Sequence, residues 1–134
     1  MPLVRIDVNQ GRSAAELAAI SRAIHDAIVS EYEIPERDYF HIITEHPEAQ
    51  IVAQDAGLGF ERSPGVLMIQ IFTQGGRSQM AKSSLFEAMA EALGEVGIKG
   101  EDVFIGYMEN SPGDWSFGFG RSQYVTGELA IPRK

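Results

Sequence analysis

The most reactive group this chain can offer lies at its start, Met1-Pro2-Leu3-Val4. An initiator methionine is usually removed before a small second residue, and its loss here leaves a secondary amine on Pro2. Buried and close to a cation, such an amine falls in basicity toward neutrality, where it can take up and return protons. A retained Met1 would instead lock the Pro2 nitrogen into an amide with no basicity. Arg77 ends the turn Gln74-Gly75-Gly76-Arg77, just before Ser78. A carboxylate placed there meets a guanidinium fork and the unpaired amides of a helix start. Arg77 can equally be a solvated turn residue, as Arg12 can in the similar turn Gln10-Gly11-Arg12-Ser13. Asp38, after Pro35-Glu36-Arg37, can orient water or a substrate hydroxyl, or serve only as a strand-entry residue, as the matching Asp102 suggests.

Other chemistries find little support. There is no cysteine, which excludes disulfides, thiolate nucleophiles and cysteine-ligated metals. His25 falls on the polar side of its helix. His41 and His46 have no carboxylate or cysteine at metal-ligand spacing, so no metal site is expected. Gly118 and Gly120 follow no strand and open no helix, unlike a nucleotide loop, and no Gly-x-Ser-x-Gly motif occurs. The net charge of −8 repels nucleic acid, so an anionic substrate needs a local arginine. No stretch approaches the ~20 apolar residues of a membrane span. The opening residues lack a signal peptide's apolar run, so the cytoplasm is the default location.

These residues need a scaffold, and the pattern supplies one. Residues 2–8 alternate as a strand, with Val4, Ile6 and Val8 on one face. Ser13 and Glu16 form a capping box. Leu17, Ile20, Ile24, Ile28 and Tyr32 then make one stripe, which predicts a helix over 14–32 ended by Pro35. A second strand is expected over 38–45. The pattern recurs as a strand over 66–73, Ser78 as N-cap, a stripe of Leu85, Met89, Leu93 and Val96, and a strand over 102–109. Ile34 and Asp38 are echoed by Ile98 and Asp102. The expected fold is therefore α+β: two tandem βαβ units, residues 2–46 and 65–110, forming a four-stranded sheet with two helices on one face.

All 134 residues are expected to form one domain. Residues 47–64 read as a loop with a short hairpin. Residues 111–134, with Trp115, Phe117, Phe119 and Tyr124, are too aromatic for a solvated tail. Both faces of Val66–Phe72 are apolar, so both sheet faces must be covered. Two helices on one face leave the other to neighbouring subunits or to the chain's own tail.

Together these residues resemble the tautomerase superfamily, and within it the group of malonate semialdehyde decarboxylase and its homologues. The resemblance runs nearly end to end, through Met1-Pro2-Leu3, Gly11-Arg12-Ser13, Pro35-Glu36-Arg37-Asp38, Glu45-His46-Pro47, Asp55-Ala56-Gly57-Leu58-Gly59, Arg77-Ser78 and Gly127-Glu128-Leu129. The run Gly113-Asp114-Trp115-Ser116-Phe117-Gly118 is its most specific part. It implies a catalytic Pro2, a water-activating Asp38, a carboxylate-binding Arg77 and an apolar wall of Trp115, Phe117 and Tyr124. It also implies a homotrimer that needs no cofactor and acts on a small oxo acid. Where the decarboxylase pattern carries two arginines before the second helix, this chain has Gln74 and Arg77. Keto–enol tautomerisation is therefore expected first, with decarboxylation or hydration as the alternative. A non-catalytic ligand-binding or interaction module is the reading from a different class.

Overall fold

The structure, a computed structural model, describes residues 1–133. Strand β1 (Leu3–Asn9) alternates as its sequence requires, burying Val4, Ile6 and Val8. A turn delivers the chain to α1 (Ala14–Tyr32), where the Glu16 amide donates to Ser13 Oγ and the Ser13 amide to Glu16 Oε1. The expected capping box is present. Glu33 turns left-handed at φ 52° and releases the chain toward β2 (Phe40–His46). The second unit repeats this order with β3 (Leu67–Gln74), α2 (Gln79–Glu95) capped by Ser78, and β4 (Val103–Asn110). A short helix, α3 (Gln123–Thr126), lies in the tail.

The sheet order is β2-β1-β3-β4, parallel within each unit and antiparallel at the central β1–β3 seam. Both long helices pack on one face. Ile20, Ile24 and Ile28 of α1 and Leu85, Met89 and Leu93 of α2 close over Ile6, Ile69 and Ile71. Fully burying each such side chain contributes about 1.5–3 kcal/mol, so this layer holds the frame. Among the described residues no helix is long and apolar enough to cross a membrane.

Four sequence expectations need correction. β2 begins at Phe40, because the Asp38 amide is used in a turn, donating to the Pro35 carbonyl at 3.0 Å. Residues 47–64 contain turns and no hairpin; the Asp55 carboxylate accepts from the Gly57 and Gly59 amides, groups a strand partner would otherwise take. Val96 caps α2 rather than extending its buried stripe, and is 40% exposed, since Gly97 turns away at φ 90°. His25, placed by the sequence on the polar side of its helix, is fully buried and stacked on Tyr39 with ring centroids 3.8 Å apart.

Candidate active site

Topology brings the candidate residues to one end of the sheet. Leu3 pairs with Phe40 on one side and Phe72 on the other. The start of β1 therefore lies between the entry to β2, which carries Asp38, and the exit of β3, which leads to Gln74 and Arg77. Because β4 runs parallel to β3, its exit at Asn110 delivers the aromatic tail to the same end. Neither unit alone assembles these groups.

Met1 is fully buried. Its amine donates to Asp38 Oδ2 at 2.9 Å and to the Tyr124 hydroxyl at 3.2 Å. Burial lowers the pKa of this amine. The Asp38 hydrogen bond and charge oppose that shift, and the nearby Arg77 charge adds to it. The turn that carries Asp38 is anchored to α1. His25 Nε2 lies 2.8 Å from the Glu36 carbonyl oxygen, and Arg22 pairs with the Glu36 carboxylate at 2.6 Å. The carbonyl can only accept, so His25 presents an N–H at that nitrogen. Tyr124, 7% exposed, has its hydroxyl pKa pushed up to about 12 by burial and by the charge of Asp38. It therefore stays a proton donor.

Arg77 leaves the β3–α2 turn with Nη1 donating to Thr73 Oγ1 and to the Gln74 carbonyl, each at 3.2 Å. Its guanidinium lies over the Tyr32 ring, 4.0 Å from the centroid. A cation over an aromatic face keeps its charge in a partly desolvated place. Tyr32 in turn donates to the Tyr107 hydroxyl, and burial raises its pKa. Arg77, Gln74, Tyr32 and the start of α2 line a cleft of about 570 Å³. Gln74 Nε2 donates to the Pro132 carbonyl at 2.6 Å. Gln74 Oε1 is buried with no hydrogen-bond partner among the described residues.

The aromatic wall forms beside Asp38. Trp115 stacks on Phe117 at 6.0 Å, and Phe117 meets Tyr124 edge-on at 5.3 Å and Phe40 at 5.5 Å. Gln123 locks this corner, its Oε1 accepting from the Phe117 amide and its Nε2 donating to the Gly118 carbonyl. Trp115, Phe117 and Tyr124 thus stand with Asp38 and the N-terminus, whereas Gln74 and Arg77 line the cleft. Sequence reasoning missed Tyr32 as a site residue, reading it only as the last member of the α1 stripe. Its position one turn before Pro35 was the available signal. His46 has a carboxylate neighbour after all, Asp7 Oδ1 at 2.7 Å, across the β1–β2 pairing. No cluster able to hold a metal ion occurs among the described residues.

Two family models, both described as tautomerase enzyme, match residues 38–118 and 2–61. The chain is 35% identical over 130 residues to the Bacillus subtilis (strain 168) protein named "Probable tautomerase YrdN", covering 96% of this chain and all of that one. It is 54% identical to the solved structure of FG41 malonate semialdehyde decarboxylase inhibited by 3-bromopropiolate, with a TM-score of 0.95 over 97% of this chain and 99% of the other. It is 32% identical to a malonate semialdehyde decarboxylase solved in wild-type, mutant and inactivated forms to explain decarboxylase and hydratase activities, with a TM-score of 0.92 over 96% and 99%. A βαβ-βαβ sheet with an amine, a carboxylate and an arginine gathered at one end, matched along nearly its whole length, places the chain in the tautomerase family, among enzymes of the isomerase or decarboxylase type.

Proposed function

We propose that loss of Met1 frees the secondary amine of Pro2, and that this amine moves protons on a small oxo-carboxylic acid. The observation that carries this reading is the buried amine at the start of β1, hydrogen-bonded to Asp38 and lowered in pKa by burial and by Arg77. The Pro2 nitrogen would take over that surrounding one residue further along. Neutral Pro2 then accepts the proton of an enol O–H. The resulting ammonium returns a proton to the adjacent carbon as the carbon–oxygen double bond forms. Nothing is gained or lost overall, so no cofactor is required. Arg77 holds the carboxylate, Asp38 orients the polar end or a water, and Tyr124 donates to the oxygen that bears charge. Trp115 and Phe117 exclude water from the reacting carbon.

The test is turnover of an aryl 2-oxo acid followed by NMR. Pro2→Ala should lower kcat/KM by about 10²–10⁴-fold, the usual weight of a general acid–base group. Intact mass should show the loss of one methionine. Full activity with Met1 retained would overturn the reading.

Decarboxylation of a 3-oxo acid is the second reading, favoured by the 54% identity to a decarboxylase. In that case Arg77 holds the carboxylate that departs as CO2, protonated Pro2 polarises the carbonyl, and the enol left behind is reprotonated at carbon.

The assembly reading is a homotrimer in the cytoplasm. On the sheet face away from the helices, Phe40, Ile42 and Phe104 are 38%, 42% and 43% exposed. Among the described residues the tail meets this face at Phe40, through Phe117, and at Gln74, through Pro132, and the exposed apolar side chains are left for neighbouring subunits. Light scattering at micromolar concentration decides it, a monomeric mass being the contrary result.

A further inference from the structure

The cleft beside Arg77 is lined by the end of α1, the β3–α2 turn with the start of α2, and the C-terminal segment. Arg77 comes from the β3–α2 turn, and Arg133 comes from the last described residues. What brings Arg133 there is Gln74. Its Nε2 donates to the Pro132 carbonyl at 2.6 Å, tying down the residue just before Arg133. Gln74 lines the same cleft and is 7% exposed, and its Oε1 is buried with no hydrogen-bond partner among the described residues. A buried acceptor without a donor is costly, and a ligand or its water is the natural supplier. Glu31 also lies on the cleft wall, so among the described lining residues two positive charges stand against one negative, in a chain of net charge −8. That reversal of sign concentrates an anion where the bulk field would repel it.

We infer that Arg133 is a second substrate-binding cation, delivered to the Arg77 cleft by the C-terminal strap, and that Gln74 acts as the strap's tether. This rests on the reading that Arg77 holds the substrate carboxylate. It gives position 74 a different role from that of an arginine, in which the glutamine's amide N–H groups anchor backbone and the charge arrives from Arg133. The strap is exposed at Arg133, so its contribution has the size of a solvent-accessible ion pair and is screened by salt.

The experiment is calorimetric titration of the mature protein with phenylglyoxylate, a 2-oxo acid with no enolisable carbon, which reads binding without turnover. Arg133→Ala should weaken binding about threefold to fivefold at low salt, the range of an exposed ion pair, and the loss should vanish at high ionic strength. Arg133→Lys should retain most of the affinity. Gln74→Leu should also weaken binding, and combining it with Arg133→Ala should cost less than the product of the two single losses, as coupled residues do. Unchanged affinity in Arg133→Ala, or a loss that persists in high salt, overturns the assignment of the cation. Independent, multiplying losses overturn the tether. Arg77→Ala and Pro2→Ala test the underlying reading separately: unaltered binding in the first, or full turnover in the second, would sink that reading.

Discussion

The two ends of the sheet carry the same repeated residues in opposite circumstances. At one end Asp38 faces the chain's own amine, and Arg77 lines an open cleft. At the other end stand their counterparts, Asp102 and Arg12, with the chain running straight through between them. Asp102, 3% exposed, accepts from the Ser63 amide at 2.7 Å and from the Ser63 hydroxyl. Arg12 Nη2 donates to the Gly65 carbonyl at 2.6 Å, and Asn9 donates to the Pro64 carbonyl at 2.9 Å. A Cβ added to Gly65 would come within 3.1 Å of that guanidinium, so the glycine leaves room for the approach. An aspartate and an arginine at the mouth of a βαβ unit thus do not make a site. Whether a free chain end or a continuous linker lies between them decides if their polar groups remain available or are spent on structure.

The largest expected contrast is between the two aspartates. Asp38→Asn should lower kcat/KM by about a hundredfold or more, with little change in urea midpoint. Asp102→Asn should cost about 2–3 kcal/mol of stability, since hydrogen bonds to a buried charged group are worth roughly 1.5–3 kcal/mol each, while the folded fraction keeps its turnover number. Similar stability losses at both positions would break the comparison.

A second contrast concerns the units' interiors. In the first unit Ser21 Oγ, the Tyr39 hydroxyl and His41 Nδ1 share hydrogen bonds of 2.8 Å, whereas the strand position matching His41 is the apolar Ile105. Burial, with His25 and Arg22 nearby, pulls the His41 pKa from 6.5 to about 4. A histidine depressed in the folded state leaves the unfolded chain to bind the proton first. Its stability contribution is therefore full above pH 6.5 and lost as pH falls from 6.5 toward 4, by at most roughly 3 kcal/mol. Urea midpoints at pH 7, 5.5 and 4.5 should drop less steeply in His41→Phe than in the parent, and parallel slopes would exclude the assignment.

The arginines should separate less widely. Arg12→Ala is expected to cost about 1 kcal/mol of stability and leave KM unchanged. Arg77→Ala should raise KM about tenfold, the size of a ~1.4 kcal/mol contact, with a smaller shift in urea midpoint. The smallest difference lies in the caps. Ser13 belongs to a reciprocal capping box, whereas Ser78 accepts one bond from the Ala81 amide. Ser13→Ala should therefore cost about 1 kcal/mol and Ser78→Ala about half that, within the usual range for caps.

The repeat was legible in the sequence because periodicity and caps are local. The alternation of Val4, Ile6 and Val8 and the stripe through Ile20, Ile24 and Ile28 need no knowledge of distant partners. The two catalytic-end candidates, Asp38 and Arg77, could be named for the same reason, as each sits at a recognisable strand or helix boundary. What the sequence concealed depends on contacts across the chain. His25 falls on the polar side of its helix, and is buried only because Tyr39 stacks on it and the Glu36 carbonyl accepts from it. His46 gains Asp7 solely through parallel strand pairing. Arg12 and Arg77 occupy similar turns, and nothing local reveals that one meets a linker carbonyl and the other an aromatic face. The strap role of Gln74 depends on Pro132, 58 residues away.

The central seam also sets a hazard during synthesis and refolding. β1, α1 and β2 can assemble as soon as residue 46 exists, but the other edge of β1 stays unpaired until β3 arrives, since Leu3 pairs with Phe72 and Val8 with Leu67. Until then β1, an inner strand of the final sheet, presents an open edge that carries apolar Leu3 and Val4 and is free to add a strand from another copy. Refolding yield should therefore fall with protein concentration more steeply than helix content does. The trapped species would be half-folded molecules joined through β1, each lacking the β3 exit that carries Arg77.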